Sequence, residues 1–396
     1  MIIHSGRVYT ASGCKDVCLK VEGEKITEIL EDYQGPIDLE FGNHRIIPGI
    51  IDTHNHGSMG YSLMGVVDDM EQQVRGYLKG VASTGVTSVF PSCDTQYFKT
   101  VVKVAKSEYE GARIVGIHSE GPYLNRVGEK GIDLGHPEIN LEDIQKWIEE
   151  CEGMLKLFGL APELAGAKEA VELLTKHGVR VAFTHSNCNY EQALEAFDWG
   201  ISVTTHTANV MSGIHHRNMG GLGACLLRDD VYNELICDGL HVMNPMIDIM
   251  MRIKKDPYDH FMMISDNVAI AGVPVGRYCM SRKRGDMVVN VDEQGYCLTD
   301  TGRLCGSSKP VIYGVKNLVE NLNIPLETVV KMCSLNPAKV YNLEGKGELK
   351  VGNYADFVVI DDAYNVLHTY SLGKEIYHHL IDTHLTNDKF IEEHRM

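Results

Sequence analysis

Two histidines one residue apart, His54 and His56, close the segment IDTHNHG (51–57) just after the apolar run IIPGI. If that run is a strand, alternate side chains share a face. Both imidazoles then point the same way and can offer two nitrogens to one metal. Five further apolar runs end in groups of the same chemistry: HSEGPY carries Glu120, FTHS His185, TTHTAN His206 and Asn209, DGLH His241, and ISD Asp266. Any one of these alone reads more simply as a capped turn or a satisfied core residue. Gathered at one place, the imidazoles of His54, His56, His185 and His206 with the carboxylates of Glu120 and Asp266 suit zinc, iron or manganese. The core set is Glu120, His185 and His206. A second ion would use His54 and His56, with Glu120 bridging. A metal lowers the pKa of its water from ~16 toward ~7. Asp266 would then serve as general base and afterwards as general acid.

Gathering these groups requires a scaffold that brings strand ends together. Eight strand candidates follow one another: IIPGIIDTHNH, VTSVFPS, RIVGIHSEG, LKLFGLAPE, VRVAFTHS, ISVTTHTAN, NELICDGLHV and HFMMISD. Amphipathic helical segments lie between most of them, such as DDMEQQVRGYLKGVAST, LEDIQKWIEECE, AGAKEAVELLTKHG and YEQALEAFDWG. Strand–helix alternation implies a parallel sheet, and eight units over about 250 residues imply a closed (β/α)8 TIM barrel. In such a barrel the reactive face lies at the C-terminal ends of the strands. The barrel is expected over 49–344. Short alternating strands in 1–48 and 345–377 are expected to form one small β-sandwich domain from both ends of the sequence. Residues 271–306 read as hairpins inserted before the last helix, and 378–396 as a solvated tail or a short helix.

The 396 residues are 44% hydrophobic and 23% charged, which is ordinary for a globular protein. A formal charge of -17 argues against nucleic acid or an anionic membrane as partner, because both need a basic surface. A small anionic substrate stays compatible with a few local cations. There is no signal-peptide pattern at MIIHSGRVYT and no apolar run long enough to span a bilayer. Eleven scattered cysteines without a CxxC pair read as reduced, cytoplasmic thiols.

The stretches IIPGIIDTHNHG, GVTSVFPS, HSEGPYLN, THSNCNYEQALEAFDWG, THTANVMSGIHHRNMGGLGACLLRDD, ICDGLHV, SDNVAIAGVPVGRY and SLNPAKVYNLEGKGELKVGNYADFVVID run in order through nearly the whole chain. They resemble the N-acetylglucosamine-6-phosphate deacetylase family of the amidohydrolase superfamily. The resemblance implies a metal-dependent deacetylase, usually a homodimer, holding one or two zinc or iron ions. By position it makes Glu120, His185 and His206 metal ligands and Asp266 the catalytic aspartate. It makes His241 a sugar contact. Asn209, the backbone amide near Ala208, and Arg217 match phosphate contacts, Arg217 reaching the partner subunit's site. His215 and His216 either line the site or face solvent. Three departures lie on the substrate side. The family's Lys-Gly-x-His reads Lys130-Gly131-Ile132-Asp133, with His136 three residues on. Thr207-Ala208 replaces a hydrophobic pair, and RNMG (217–220) replaces Arg-Glu-Pro-Gly. N-acetylgalactosamine-6-phosphate, another amide or a cyclic amide therefore remain alternative substrates, and a non-catalytic barrel is the third reading.

Overall fold

The computed structural model describes residues 1–125, 137–280 and 287–396. Eight barrel strands follow in the order of the sequence. They are Ile50–Asn55, Val86–Pro91, a third strand in two pieces (Arg113–Ile114 and Ile117–Glu120), Leu155–Leu160, Arg180–Phe183, Ile201–Thr204, Tyr232–Ile236 and Phe261–Ile264. Neighbours pair in parallel. The ring closes where the Asp266 amide donates to the His54 carbonyl at 2.8 Å and where Ser92 bridges to His118.

The sequence predicts one continuous third strand, and the structure breaks it. Gly116 lies so close to its neighbours that an added Cβ would sit 2.6 Å from the Phe90 ring and from Lys156. The backbone steps there, so the first piece pairs with the second strand and the second piece with the fourth.

Helices Met70–Ala82, Leu141–Glu150, Ala167–Lys176 and Tyr190–Asp198 fall on the amphipathic segments. Three begin on side-chain caps. Asp69 accepts from the Gln72 amide, Asn140 from those of Glu142 and Asp143, and Asn189 forms a reciprocal box with Gln192. Each cap is worth about 1 kcal/mol. The helices bury one face against the strands in the main core, which includes Val74, Leu78, Ile144, Val171, Ala196 and Phe197. Inside the ring, Phe90, Leu157, Ala182, Val203 and Met262 meet Val340 and Tyr341, which plug its lower end. The interior is a packed layer, so the opposite mouth is where a ligand can enter.

Both ends of the sequence meet in one further sheet. Its order runs Lys374–His378, Val366–Ser371, Phe357–Ile360, Arg45–Pro48, Ile2–Thr10, Gly13–Glu22 and Lys25–Leu30, with Leu39–Glu40 beside Ile2–Thr10. It has its own core of Ile3, Val8, Leu19, Ile46, Phe357 and Val359, among others. After the eighth barrel strand, three antiparallel strands stand apart: Gly276–Met280, Met287–Val291 and Cys297–Thr299.

The last residues include the short helix that the sequence allows, and it is docked on the protein. Helix Asp388–His394 sets Phe390, 7% exposed, among Ala269, Ile270 and Tyr278. The Asn387 amide donates to the Met59 carbonyl and its side chain to the Gly60 carbonyl. No helix among the described residues is long and apolar enough to cross a membrane.

Candidate metal centre

The six residues singled out for metal chemistry or proton transfer meet at the C-terminal mouth of the barrel. Glu120 is at their centre. Its Oε1 lies 2.9 Å from His185 Nε2 and 3.0 Å from His206 Nε2. Its Oε2 lies 3.1 Å from His56 Nε2 and 3.7 Å from His54 Nε2. One carboxylate thus faces two imidazole pairs with its two oxygens. Asp266 Oδ1 closes the second group, 3.3 Å from His54 Nε2 and 3.4 Å from His56 Nε2. In each group, one ligand atom per residue lies within 4.8 Å of all the others.

The far nitrogens show what these rings are set up to do. His56 Nδ1 faces the Ser92 carbonyl at 3.0 Å, His206 Nδ1 the Asn209 carbonyl at 3.2 Å, and His54 Nδ1 the Glu234 carboxylate at 3.2 Å. A carbonyl or carboxylate only accepts, so each of these Nδ1 atoms carries a hydrogen and Nε2 is the atom left to face a proton or a metal. The Nε2 atoms converge. The Nε2 atoms of His54 and His56 are 3.0 Å apart, and those of His185 and His206 3.1 Å. Acceptors aimed at one another with a carboxylate between them form the donor set of a cation, and nitrogen and oxygen donors in these numbers fit a divalent metal.

The electrostatics of the protein without a metal agree. Burial works against charge on His56, but Asp266 and Glu120 outweigh it and hold the imidazole at about 9. His54 is raised well above its ordinary value by the same balance. Burial also penalises the Glu120 and Asp266 carboxylates, yet the facing imidazoles keep both below the usual range. Protons occupy the place of a cation.

Backbone geometry places the donors at a cost. His185, His206 and Asp266 have φ of 44°, 28° and 51°, in the left-handed region. Such residues cost about 1–3 kcal/mol each and persist only where the surroundings enforce them. Gly57, directly after His56, has no alternative, because a Cβ there would lie 2.4 Å from the Tyr61 carbonyl oxygen and 2.8 Å from the Ala269 amide.

A cavity of about 730 Å³ opens above these groups. Asn209 and His241 line it, as do Val288, Thr299 and Arg303 of the inserted strands and the loop after them. His241 Nδ1 is held at 2.7 Å by Asp238, whose carboxylate also accepts the amides of Leu240 and His241. Burial raises that carboxyl, but His241 and the amides lower it overall.

Other expected residues stand elsewhere. Arg217 and His216 line a separate cleft with Asn189, Tyr190 and Glu191. His215 faces Asn218 across a tight exposed turn. Ala208 has φ 76°, and its amide meets Met211 Sδ at 3.4 Å. His136 and Lys130–Asp133 lie outside the described residues.

Several residues of the site escaped the sequence. Glu234 is fully buried and orients His54 while also accepting from Thr53. An acidic residue near the start of the apolar run NELIC was its only signal. Asp52, fully buried and raised by desolvation, accepts from Ser265 and Asn55 and so ties the first strand to the eighth. His118, buried beneath His54 with ring centroids 4.4 Å apart, is bonded through Nδ1 to Ser92. Burial holds it well below the ordinary value, so it stays neutral. Arg303 carried no motif at all.

A family model described as Amidohydrolase family matches residues 45–376. This chain belongs to the amidohydrolase family. Within it, the similarity is to amino-sugar-phosphate deacetylases. The chain is 33% identical over 379 residues to the N-acetylglucosamine-6-phosphate deacetylase of Vibrio furnissii, covering 92% of this chain and 91% of that protein. It is 31% identical over 342 residues to the N-acetylgalactosamine-6-phosphate deacetylase of Escherichia coli O157:H7, covering 83% and 87%. A crystal structure of N-acetylglucosamine-6-phosphate deacetylase from Pasteurella multocida superposes with a TM-score of 0.81 at 27% identity, covering 95% of this chain and 99% of that one.

Proposed function

We propose that this protein hydrolyses the N-acetyl amide of N-acetylglucosamine-6-phosphate to acetate and glucosamine-6-phosphate. The observation that carries the reading is the Glu120 carboxylate set between two imidazole pairs in a cavity that also holds Asp266. The relatives above supply the substrate class.

Glu120, His185 and His206 would hold one divalent ion, zinc or iron. A second ion, where one binds, would use His54, His56 and Glu120. An ion there would supply Lewis-acid activation of water and of the amide carbonyl. Asp266, kept ionised by its imidazole neighbours, takes a proton from the attacking water and passes it to the leaving amine. His241, steadied by Asp238, binds the sugar. Asn209 and the backbone near Ala208 meet the phosphate. Arg217 adds a guanidinium from the partner in a homodimer, a group whose paired donors match phosphate oxygens. The family's carbonyl-polarising histidine has no match at Asp133, and His136, three residues on, is the one histidine of that loop. No disulfide joins the eleven cysteines, which accords with a reducing cytoplasm.

N-acetylgalactosamine-6-phosphate is the second reading. The Escherichia coli relative favours it, and Thr207-Ala208 and RNMG fall on the substrate side. Acetate release is measured from both sugar phosphates and from the unphosphorylated sugars. The expected order is N-acetylglucosamine-6-phosphate first, with Asp266→Asn retaining metal while kcat falls about 10³-fold or more. Unchanged turnover in that variant would remove Asp266 from the mechanism. Preference for the galactose isomer would move the assignment to the second reading.

A further inference from the structure

A third group of metal-ligating side chains lies far from the barrel mouth in sequence, on the terminal hairpin of the small sheet. Strands Val366–Ser371 and Lys374–His378 pair antiparallel, with His368 opposite His378. The register shifts between Thr369 and Tyr370, which leaves Ile376 without a partner. That bulge has a consequence. Residues three apart in a regular strand point to opposite faces, yet the extra residue lets Glu375 and His378 share one. Glu375 Oε1 sits 2.7 Å from His368 Nδ1, and the rings of His368 and His378 meet edge to face at 4.4 Å. One ligand atom from each of the three lies within 4.8 Å of the other two.

We infer that His368, Glu375 and His378 form a further metal site, apart from the barrel mouth, that takes a borderline divalent cation such as zinc. Two imidazoles and a carboxylate are three of the four ligands that zinc prefers. Glu375 and His378 border an open cleft of about 880 Å³ shared with Lys79 and Arg113, so solvent supplies the fourth. Borderline nitrogen-and-oxygen sites of this kind exclude calcium and magnesium, which take oxygen ligands. Binding exchanges two existing contacts, His368 with Glu375 and the Leu380 amide with His378 Nδ1 at 3.2 Å. The affinity is therefore moderate. The ion joins the two strands of the hairpin and takes no part at the barrel mouth.

The test is zinc titration by calorimetry on the full chain with its barrel centre already loaded. One additional equivalent with a Kd below about 100 µM is expected. His378→Ala and Glu375→Gln should each weaken it at least about tenfold. His368→Gln does the same, with its circular-dichroism melt showing that the hairpin still folds. A His215→Ala/His216→Ala variant should keep the equivalent. No uptake below about 1 mM, equal uptake in His378→Ala, or loss of uptake in the His215/His216 variant overturns the assignment.

Discussion

Glu234 decides how His54 presents itself to an ion. A fully buried carboxylate costs several kcal/mol unless it is paired and hydrogen-bonded, and here its partners are the His54 ring and the Thr53 hydroxyl. Replacing Glu234 by Gln keeps the volume but weakens the hold on His54 Nδ1. Metal affinity at the His54 side, read by equilibrium dialysis, should fall about 10–100-fold. An unchanged affinity would leave Glu234 a packing residue only. Acid acts on the same site through His56. Held at about 9 by Asp266 and Glu120, that imidazole keeps its proton below this pH, and an ion must displace it. Metal affinity of the stripped protein should therefore climb between pH 6 and 9, by up to roughly tenfold per unit for each proton released. Glu120 and Asp266, both held low, stay ionised through that range and add nothing to the slope. A flat profile would contradict the balance of charges described. The donors themselves were legible, because a histidine or acid ending an apolar run breaks its pattern. Glu234 and Arg303 were not. The first hides inside a strand, and the second acts only through where an inserted loop happens to fold.

Strand ends carry the site, and the segments after them keep the ends in place. Existence and order of the eight strands could be read from apolar runs alternating with capped amphipathic helices. The break at Gly116 could not, since it depends on the Phe90 ring and Lys156, which arrive from other strands. The left-handed backbone at His185, His206 and Asp266 was equally invisible. Only neighbouring strands force it on residues with ordinary side chains. The docking of the last helix was not legible for a related reason. HHLIDTHLTNDKFIEEHRM is polar on average, and one aromatic carries its docking. Phe390 packs on Tyr278 with ring centroids 6.3 Å apart, beneath the inserted strands that wall the cavity. Phe390→Ala should destabilise by about 3–5 kcal/mol in a denaturant melt. A loss under about 1 kcal/mol would mean that this helix rests on the surface without anchoring it.

At the scale of the whole molecule, Arg217 tests how many chains a working site needs. Within the chain it lines a cleft apart from the metal donors. If it serves the neighbouring subunit, Arg217→Ala and Asp266→Asn proteins are each impaired on phosphorylated substrate. Mixed, unfolded and refolded together, they form dimers with one intact site. A statistical mixture then recovers about a quarter of wild-type activity. No recovery would place Arg217 outside the partner's site. Sequence reading reached the barrel and the paired ends because each has its own periodicity. It could not supply the separation of Arg217 from the metal donors or the depth of the cleft.

The interleaved terminal sheet also constrains how the polypeptide is made. Strand Arg45–Pro48 lies between Ile2–Thr10 and Phe357–Ile360, so its two partners are synthesised more than three hundred positions apart. Emerging from the ribosome, the opening meander must keep Ile46 and Ile47 unmatched on one edge while the entire barrel is translated and closes. Only when strand Phe357–Ile360 arrives is that edge covered, which makes final assembly a late, long-range event.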